Sequence, residues 1–202
     1  MPLIRTEEVA SGVKIGLWRM SETAEEIVYK YPVLEPLYVS CSNMRSSFRI
    51  MEMLLERALL IEMTGNDNLK LSHTASGKPV IDGYNISISH TKGFEVLILS
   101  NEKAVGVDIE YMSDRVSRIA DKFIRNDEQA PTTAHQLILW SVKETVFKLF
   151  SKLDLQYFEM KSRPFEIKKR GSLLVEVARQ NTLVTANYEL TDEYVLTYAI
   201  NS

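Results

Sequence analysis

The chain has 202 residues, 45% of them hydrophobic and 25% charged, which is enough apolar material for one compact core or two small ones. Its 27 acidic residues outnumber 24 lysines and arginines, and the net charge of −3 argues against general nucleic-acid binding. Cys41 is the only cysteine, so an internal disulfide and a cysteine metal cluster are both excluded.

Residues 1–10 are polar and acidic with no apolar core of a leader segment, and no run approaches the ~20 apolar residues of a membrane helix, so the cytoplasm is the simplest expectation. Residues 13–18 suit a short strand. Ser21 offers an N-cap for a short helix to about Tyr29, ended by Pro32 and Pro36. Phe48, Met51, Leu54, Leu55, Ala58 and Leu59 recur at helical spacing over about 46–63, and Thr64-Gly65-Asn66 stops that helix. Its other face carries Arg45, Arg49 and Arg57. Residues 70–82 read as a loop holding Ser76-Gly77-Lys78-Pro79. Ile86 and Ile88, then 96–99, read as two strands joined through Lys92-Gly93, with His90 at the end of the first.

In Gly106-Val107-Asp108-Ile109-Glu110 the residues alternate as in a strand, with Asp108 and Glu110 on one face. Two carboxylates so placed repel unless a cation or a proton relieves them. Ser113 or Asp114 can cap a helix to Ile124, on which Val116, Ile119, Ala120, Phe123 and Ile124 form an apolar stripe. Arg115, Arg118, Lys122 and Arg125 form a basic one. Thr132 or Thr133 can cap a long helix to Phe150, in which Trp140, Glu144 and Lys148 share a face. If that helix packs across the strand, a third carboxylate and an ammonium join the first two, and three carboxylates with room for water suit Mg²⁺. Residues 165–167, 173–178, 183–190 and 194–200 alternate as strands. Strand, helix and strands thus occur twice, which hints at duplicated lobes meeting near residue 103.

The ordered set Gly77-Lys78-Pro79, Ser87-Ile88-Ser89-His90-Thr91, Gly106 to Glu110, Phe123 with Glu128 five residues on, and Trp140-Ser141-Val142-Lys143-Glu144-Thr145-Val146-Phe147-Lys148 resembles the 4'-phosphopantetheinyl transferase superfamily. The type resembled is the two-lobed one that activates surfactin synthetase, and the likeness spans about residues 45–170. It implies an α+β fold of two similar α/β lobes related by a pseudo-twofold axis. Residues 1–103 would form the lobe on the coenzyme A nucleotide side, and residues 104–202 the lobe with the metal and the catalytic helix. The implied enzyme moves the 4'-phosphopantetheine arm of coenzyme A to a carrier-protein serine, with Mg²⁺, and releases adenosine 3',5'-bisphosphate.

The resemblance assigns Asp108, Glu110 and Glu144 to the metal, with Glu144 also as general base and Lys148 and Asp108 beside it in the catalytic set. Coenzyme A would meet Arg49, or Arg45, at its nucleotide phosphates. It would meet the loop of Gly77, Lys78 and Pro79, Ser89 and His90 at the 3'-phosphate, and Lys143 and Lys148 at the pyrophosphate. Arg115, Arg118 and Lys122 would steer an acidic carrier partner. The role of Glu128 stays open. Thr91 and Thr145 stand where serine and a smaller residue are common, and neither removes a charged group. A non-catalytic module binding coenzyme A or a carrier protein is the alternative, followed by a metal-dependent phosphohydrolase. Neither nucleic acid nor membrane is implied as a partner, and two lobes in one chain make a monomer sufficient.

Overall fold

The acidic N-terminal stretch is a strand. In the computed structural model, which describes residues 2–201, β1 (Leu3–Ala10) pairs antiparallel with β2 (Val13–Arg19), its side chains alternating between half-buried and exposed as an edge strand allows. The chain divides between Glu102 and Lys103 into two compact units.

In the first unit, α1 (Ala24–Lys30) starts at a capping box of Thr23 and Glu26, two residues later than the serine expected to cap it. Helix α1 ends at Lys30, just before Pro32, but helical structure then resumes. Pro32 opens a 3-10 turn and Pro36 sits in the first turn of α2 (Glu35–Ser40), where a missing N–H costs no hydrogen bond. The long helix α3 (Ser47–Thr64) runs where the apolar spacing puts it. The Ser46 hydroxyl accepts from the Arg49 N–H at 3.2 Å, and Gly65 closes the helix in the left-handed conformation at φ 68°. After α3 come a two-stranded hairpin of β3 (Ser72–His73) and β4 (Pro79–Val80), then β5 (Asn85–Thr91) and β6 (Phe94–Ser100), turning at Gly93. The main sheet has the order β1-β2-β6-β5, antiparallel throughout. Leu54, Leu55, Ala58, Leu59 and Met63 of α3 are buried in this unit's core with Trp18, Leu97 and Leu99.

The second unit opens with β7 (Ala104–Tyr111). Residues Arg115–Lys122 then form a 3-10 helix and not an α-helix, so its side chains repeat every three residues. The long helix α4 (Thr133–Leu149) is capped by the Thr132 hydroxyl. Strands β8 (Met160–Ser162), β9 (Arg170–Val177), β10 (Thr182–Leu190) and β11 (Tyr194–Asn201) complete an antiparallel sheet of order β7-β11-β10-β9-β8. The strand expected at 165–167 is absent. Residues 163–169 are irregular, Pro164 having no N–H to give a ladder, and pairing falls instead on the three residues before it. Ile138, Val142 and Val146 of α4 pack with Val175, Ala186, Val195 and Ala199. Each unit is thus an antiparallel sheet with one long helix laid on it, an α+β architecture. No described helix is long and apolar enough to cross a membrane.

Candidate active site

Gly106, Asp108 and Glu110 alternate along β7 and so share a face. A Cβ on Gly106 would lie 2.3 Å from the Thr145 carbonyl oxygen and 3.0 Å from the Leu149 nitrogen. Only glycine lets the backbone of α4 come so near the strand. That approach lays α4 side chains directly on Asp108. Lys148 Nζ donates to Oδ1 at 2.8 Å, and the Ser141 hydroxyl donates to Oδ2 at 2.9 Å. The hydroxyl of Thr197, opposite Asp108 in β11, lies within hydrogen-bond distance of both neighbouring hydroxyls, Ser141 at 2.9 Å and Thr145 at 2.6 Å. Trp140 Nε1 donates to Glu110 Oε1 at 2.7 Å. Glu144 Oε1 accepts from the Tyr157 hydroxyl at 2.6 Å. The Trp140 ring also meets Phe123 at 5.1 Å and Tyr157 at 5.3 Å, which fixes its indole N–H on Glu110.

Three carboxylates therefore gather on one seam with one ammonium. Burial raises Glu110 to about 7, the Asp108 and Glu144 charges add to the rise, and the Trp140 N–H opposes it. Burial also pushes Glu144 up, against the Tyr157 hydrogen bond. Among the described residues no three acidic, histidine or cysteine side chains are already drawn together as a metal cage. Glu110 and Glu144 each use one oxygen on a protein donor and, among the described residues, leave the other without one. An all-oxygen set with surplus negative charge and unspent oxygens fits Mg²⁺, which keeps several waters and takes few carboxylates.

Lys143 does not join Lys148. It lies on another face of α4, fully buried, donating to Glu128 Oε2 and the Phe123 carbonyl, both at 2.6 Å, and to the Tyr157 carbonyl at 3.3 Å. Its expected place at a pyrophosphate is corrected by that environment, since three acceptors already consume the ammonium's three N–H groups. Glu128, whose role the sequence left open, closes this structural knot by also accepting from the Ser162 and Arg125 amides. The basic stripe is shorter than an α-helix would make it. Arg115 and Arg118 stay exposed one 3-10 turn apart, Asp121 comes next in their row, and Lys122 falls outside it. Arg125 is held by Asp127 and the Phe158 carbonyl. Arg115 and Arg118 line a groove of about 390 Å³ that also takes in Glu110 and Trp140.

The expected nucleotide-binding residues all lie in the first unit. Arg49 and His90 converge on one acid, Glu52, at 2.8 and 2.7 Å. Arg45 is exposed in the turn before the Ser46 cap, off the helix. Ser89 is buried on β5. Gly77 and Lys78 belong to a tight turn in which the Thr74 carbonyl accepts from the Gly77 N–H and the Lys78 carbonyl from the Thr74 N–H, both at 2.9 Å. Gly77 there has φ 82°, Lys78 is exposed, and Pro79 starts β4 half-buried. Ser141, Tyr157, Thr197 and Glu52, unassigned in the sequence, are the partners that hold the assigned acids and cations. The i, i+3 spacing of Arg49 and Glu52 was the one readable signal among them.

Residues 104–199 match the family model of the 4'-phosphopantetheinyl transferase superfamily. The chain is also similar to the 4'-phosphopantetheinyl transferase gsp of Aneurinibacillus migulanus, 29% identical over 127 residues. That match covers 57% of this chain and 53% of the relative, so it spans about half the relative's length. The Asp108–Glu110 strand and the Glu144–Lys148 helix both lie inside the matched segment, so the second unit is the part of the chain that matches the 4'-phosphopantetheinyl transferase superfamily.

Proposed function

We propose that the protein transfers the 4'-phosphopantetheine arm of coenzyme A to a serine of an acyl or peptidyl carrier protein and releases adenosine 3',5'-bisphosphate. The observation that carries this reading is the seam at Asp108, where a buried carboxylate holds Lys148 at 2.8 Å beside Glu110 and Glu144. Asp108, Glu110 and Glu144 would hold Mg²⁺, which offsets charge on the diphosphate when bound. Lys148 lies on that same seam, a quarter exposed, and places its ammonium at the bridging oxygen as negative charge builds there. Glu144, raised by burial, takes the proton of the carrier serine as its oxygen bonds to the β-phosphorus and the bond to the bisphosphate breaks. Ser141 and Thr197 hold Asp108 in place for this. The groove with Arg115 and Arg118 on its wall suits an acidic carrier, and in the first unit Arg49 and His90 suit the nucleotide phosphates.

The test is incubation of the purified protein with coenzyme A, Mg²⁺ and a panel of apo-carriers, read by mass spectrometry. The expected product is a carrier heavier by one phosphopantetheine. Asp108→Asn keeps the volume and removes the charge, and should slow transfer by about 10²-fold or more, the scale of a lost electrostatic contact to the transition state. Wild-type turnover by that variant would remove Asp108 from the chemistry.

A further inference from the structure

We propose that Glu52 is a positioning residue that sets Arg49 and His90 as a single anion-binding pair matched to a phosphomonoester. This rests on the reading above, in which Arg49 and His90 meet the nucleotide end of coenzyme A. Glu52 stands on α3 with its side chain only 4% exposed, and its two oxygens are divided between the two cations. Oε2 accepts from Arg49 NH1 at 2.8 Å and Oε1 faces His90 Nε2 at 2.7 Å. Arg49 comes from the preceding turn of the same helix and His90 from β5, so one carboxylate ties helix to strand. The cations are held from inside while their side chains remain 42% and 41% exposed.

The consequences for an incoming anion are geometric. A carboxylate on Nε2 makes that nitrogen carry the hydrogen, which sets the tautomer and the plane of the imidazole. The contact with Phe48, edge-on at 6.2 Å, braces the same ring. On Arg49 the carboxylate engages one N–H of five and orients a rigid fork suited to two oxygens of one phosphate. The other buried acids of this unit do not share the task. Glu56 faces Arg57 at 3.6 Å and His73 at 3.7 Å, and the Glu95 carboxyl has no hydrogen-bond partner among the described residues. Among the described residues, Glu52 is the acid that touches both cations.

Steady-state transfer with coenzyme A and with 3'-dephospho-coenzyme A, compared in wild type and Glu52→Gln, tests this. The amide keeps the volume but turns an N–H toward one of the two donors. The expected result is a KM for coenzyme A raised about tenfold with kcat changed far less, on the scale of one charged hydrogen bond. The preference for coenzyme A over its 3'-dephospho form should shrink by the same factor. A general loss of folding would lower both substrates together, so the ratio isolates positioning. An unchanged ratio in Glu52→Gln overturns the role of Glu52. A wild type without preference overturns the placement of Arg49 and His90 at the 3'-phosphate, and the proposal with it. Should Glu52→Gln fail to fold, Glu52→Asp, which keeps the charge but is too short to span both partners, is read by the same ratio.

Discussion

The two units lay one long helix on an antiparallel sheet, and both bury acids along that helix, yet their charge balance is opposite. On the α4 seam Asp108, Glu110 and Glu144 face a single ammonium, Lys148. On the α3 side Glu52 and Glu56 are met by Arg49, Arg57, His73 and His90, while the third acid, Glu95, is raised far above the carboxylate range by complete burial. One arrangement is short of positive charge and invites a cation. The other places cations at the surface with their acids behind them and invites an anion. The contrast teaches that the side chains lining a helix–sheet seam, and not the α+β scaffold, decide which ligand charge a unit can hold.

The sharpest way to break this contrast lies within α4, whose two lysines five residues apart do different work. Lys143→Met leaves Glu128 charged and fully buried, which should cost about 3–5 kcal/mol of stability in a urea or thermal melt. Lys148→Met removes a partly exposed ammonium and leaves the buried Asp108 to the Ser141 hydroxyl, so its melt should move by less than that of Lys143→Met while transfer falls about 10²-fold. If Lys143→Met melts with wild type, the buried knot around Glu128 is not holding the unit together.

That pair also marks where the sequence stops being legible. The helices α3 and α4 and the threonine cap of α4 could be read because apolar spacing and a capping side chain are local signals. The turn at Lys92-Gly93 and strands β9 to β11 followed from the same kind of local pattern. Strand β1 was hidden because an edge strand can be polar on both faces, and α2 because proline in a first turn looks like a helix breaker. The meeting of Asp108 with Lys148 was anticipated from one strand face and one helix face. Lys143 was misplaced because nothing in the spacing of α4 reveals that the Tyr157 turn and the Glu128 connection cover its other side. Contacts made across the chain, such as Ser141 with Thr197, leave no periodic trace.

A smaller effect separates the two seams by how closely their helices approach. Gly106→Ala would set its Cβ against backbone atoms of α4, which cannot yield without moving the helix, and should cost about 3 kcal/mol. Gly16→Ala in β2 meets side chains, Met63 Sδ at 2.6 Å and Cγ at 3.2 Å and Leu59 Cδ2 at 2.9 Å, which can give where backbone cannot, and should cost about 1 kcal/mol. Equal losses in the two melts would mean that α4 shifts as readily as a methionine does, and that the Asp108 seam is not rigidly set.

The smallest effect concerns the acid that neither seam uses. Glu95 is fully buried on β6, its carboxyl without a hydrogen-bond partner among the described residues, raised chiefly by burial and next by the charges of Glu56 and Glu52, with Arg49 and Arg57 opposing. An acid raised on folding stabilises the folded state fully below its unfolded value, near 4.5, and that contribution is lost as pH climbs through the raised folded value. Wild type should therefore lose stability through this group as pH rises from about 4.5 toward the raised folded value. Glu95→Leu, of similar size and with no proton to lose, should be more stable than wild type by about 1–2 kcal/mol at pH 8, the cost of an unpaired buried polar group. At pH 5, where the folded wild type keeps the proton, the gap should narrow. Melts of both proteins across that range decide the matter. A gap of constant size would mean that Glu95 is charged in the folded protein, and the charge balance of the α3 seam would then shift toward that of α4.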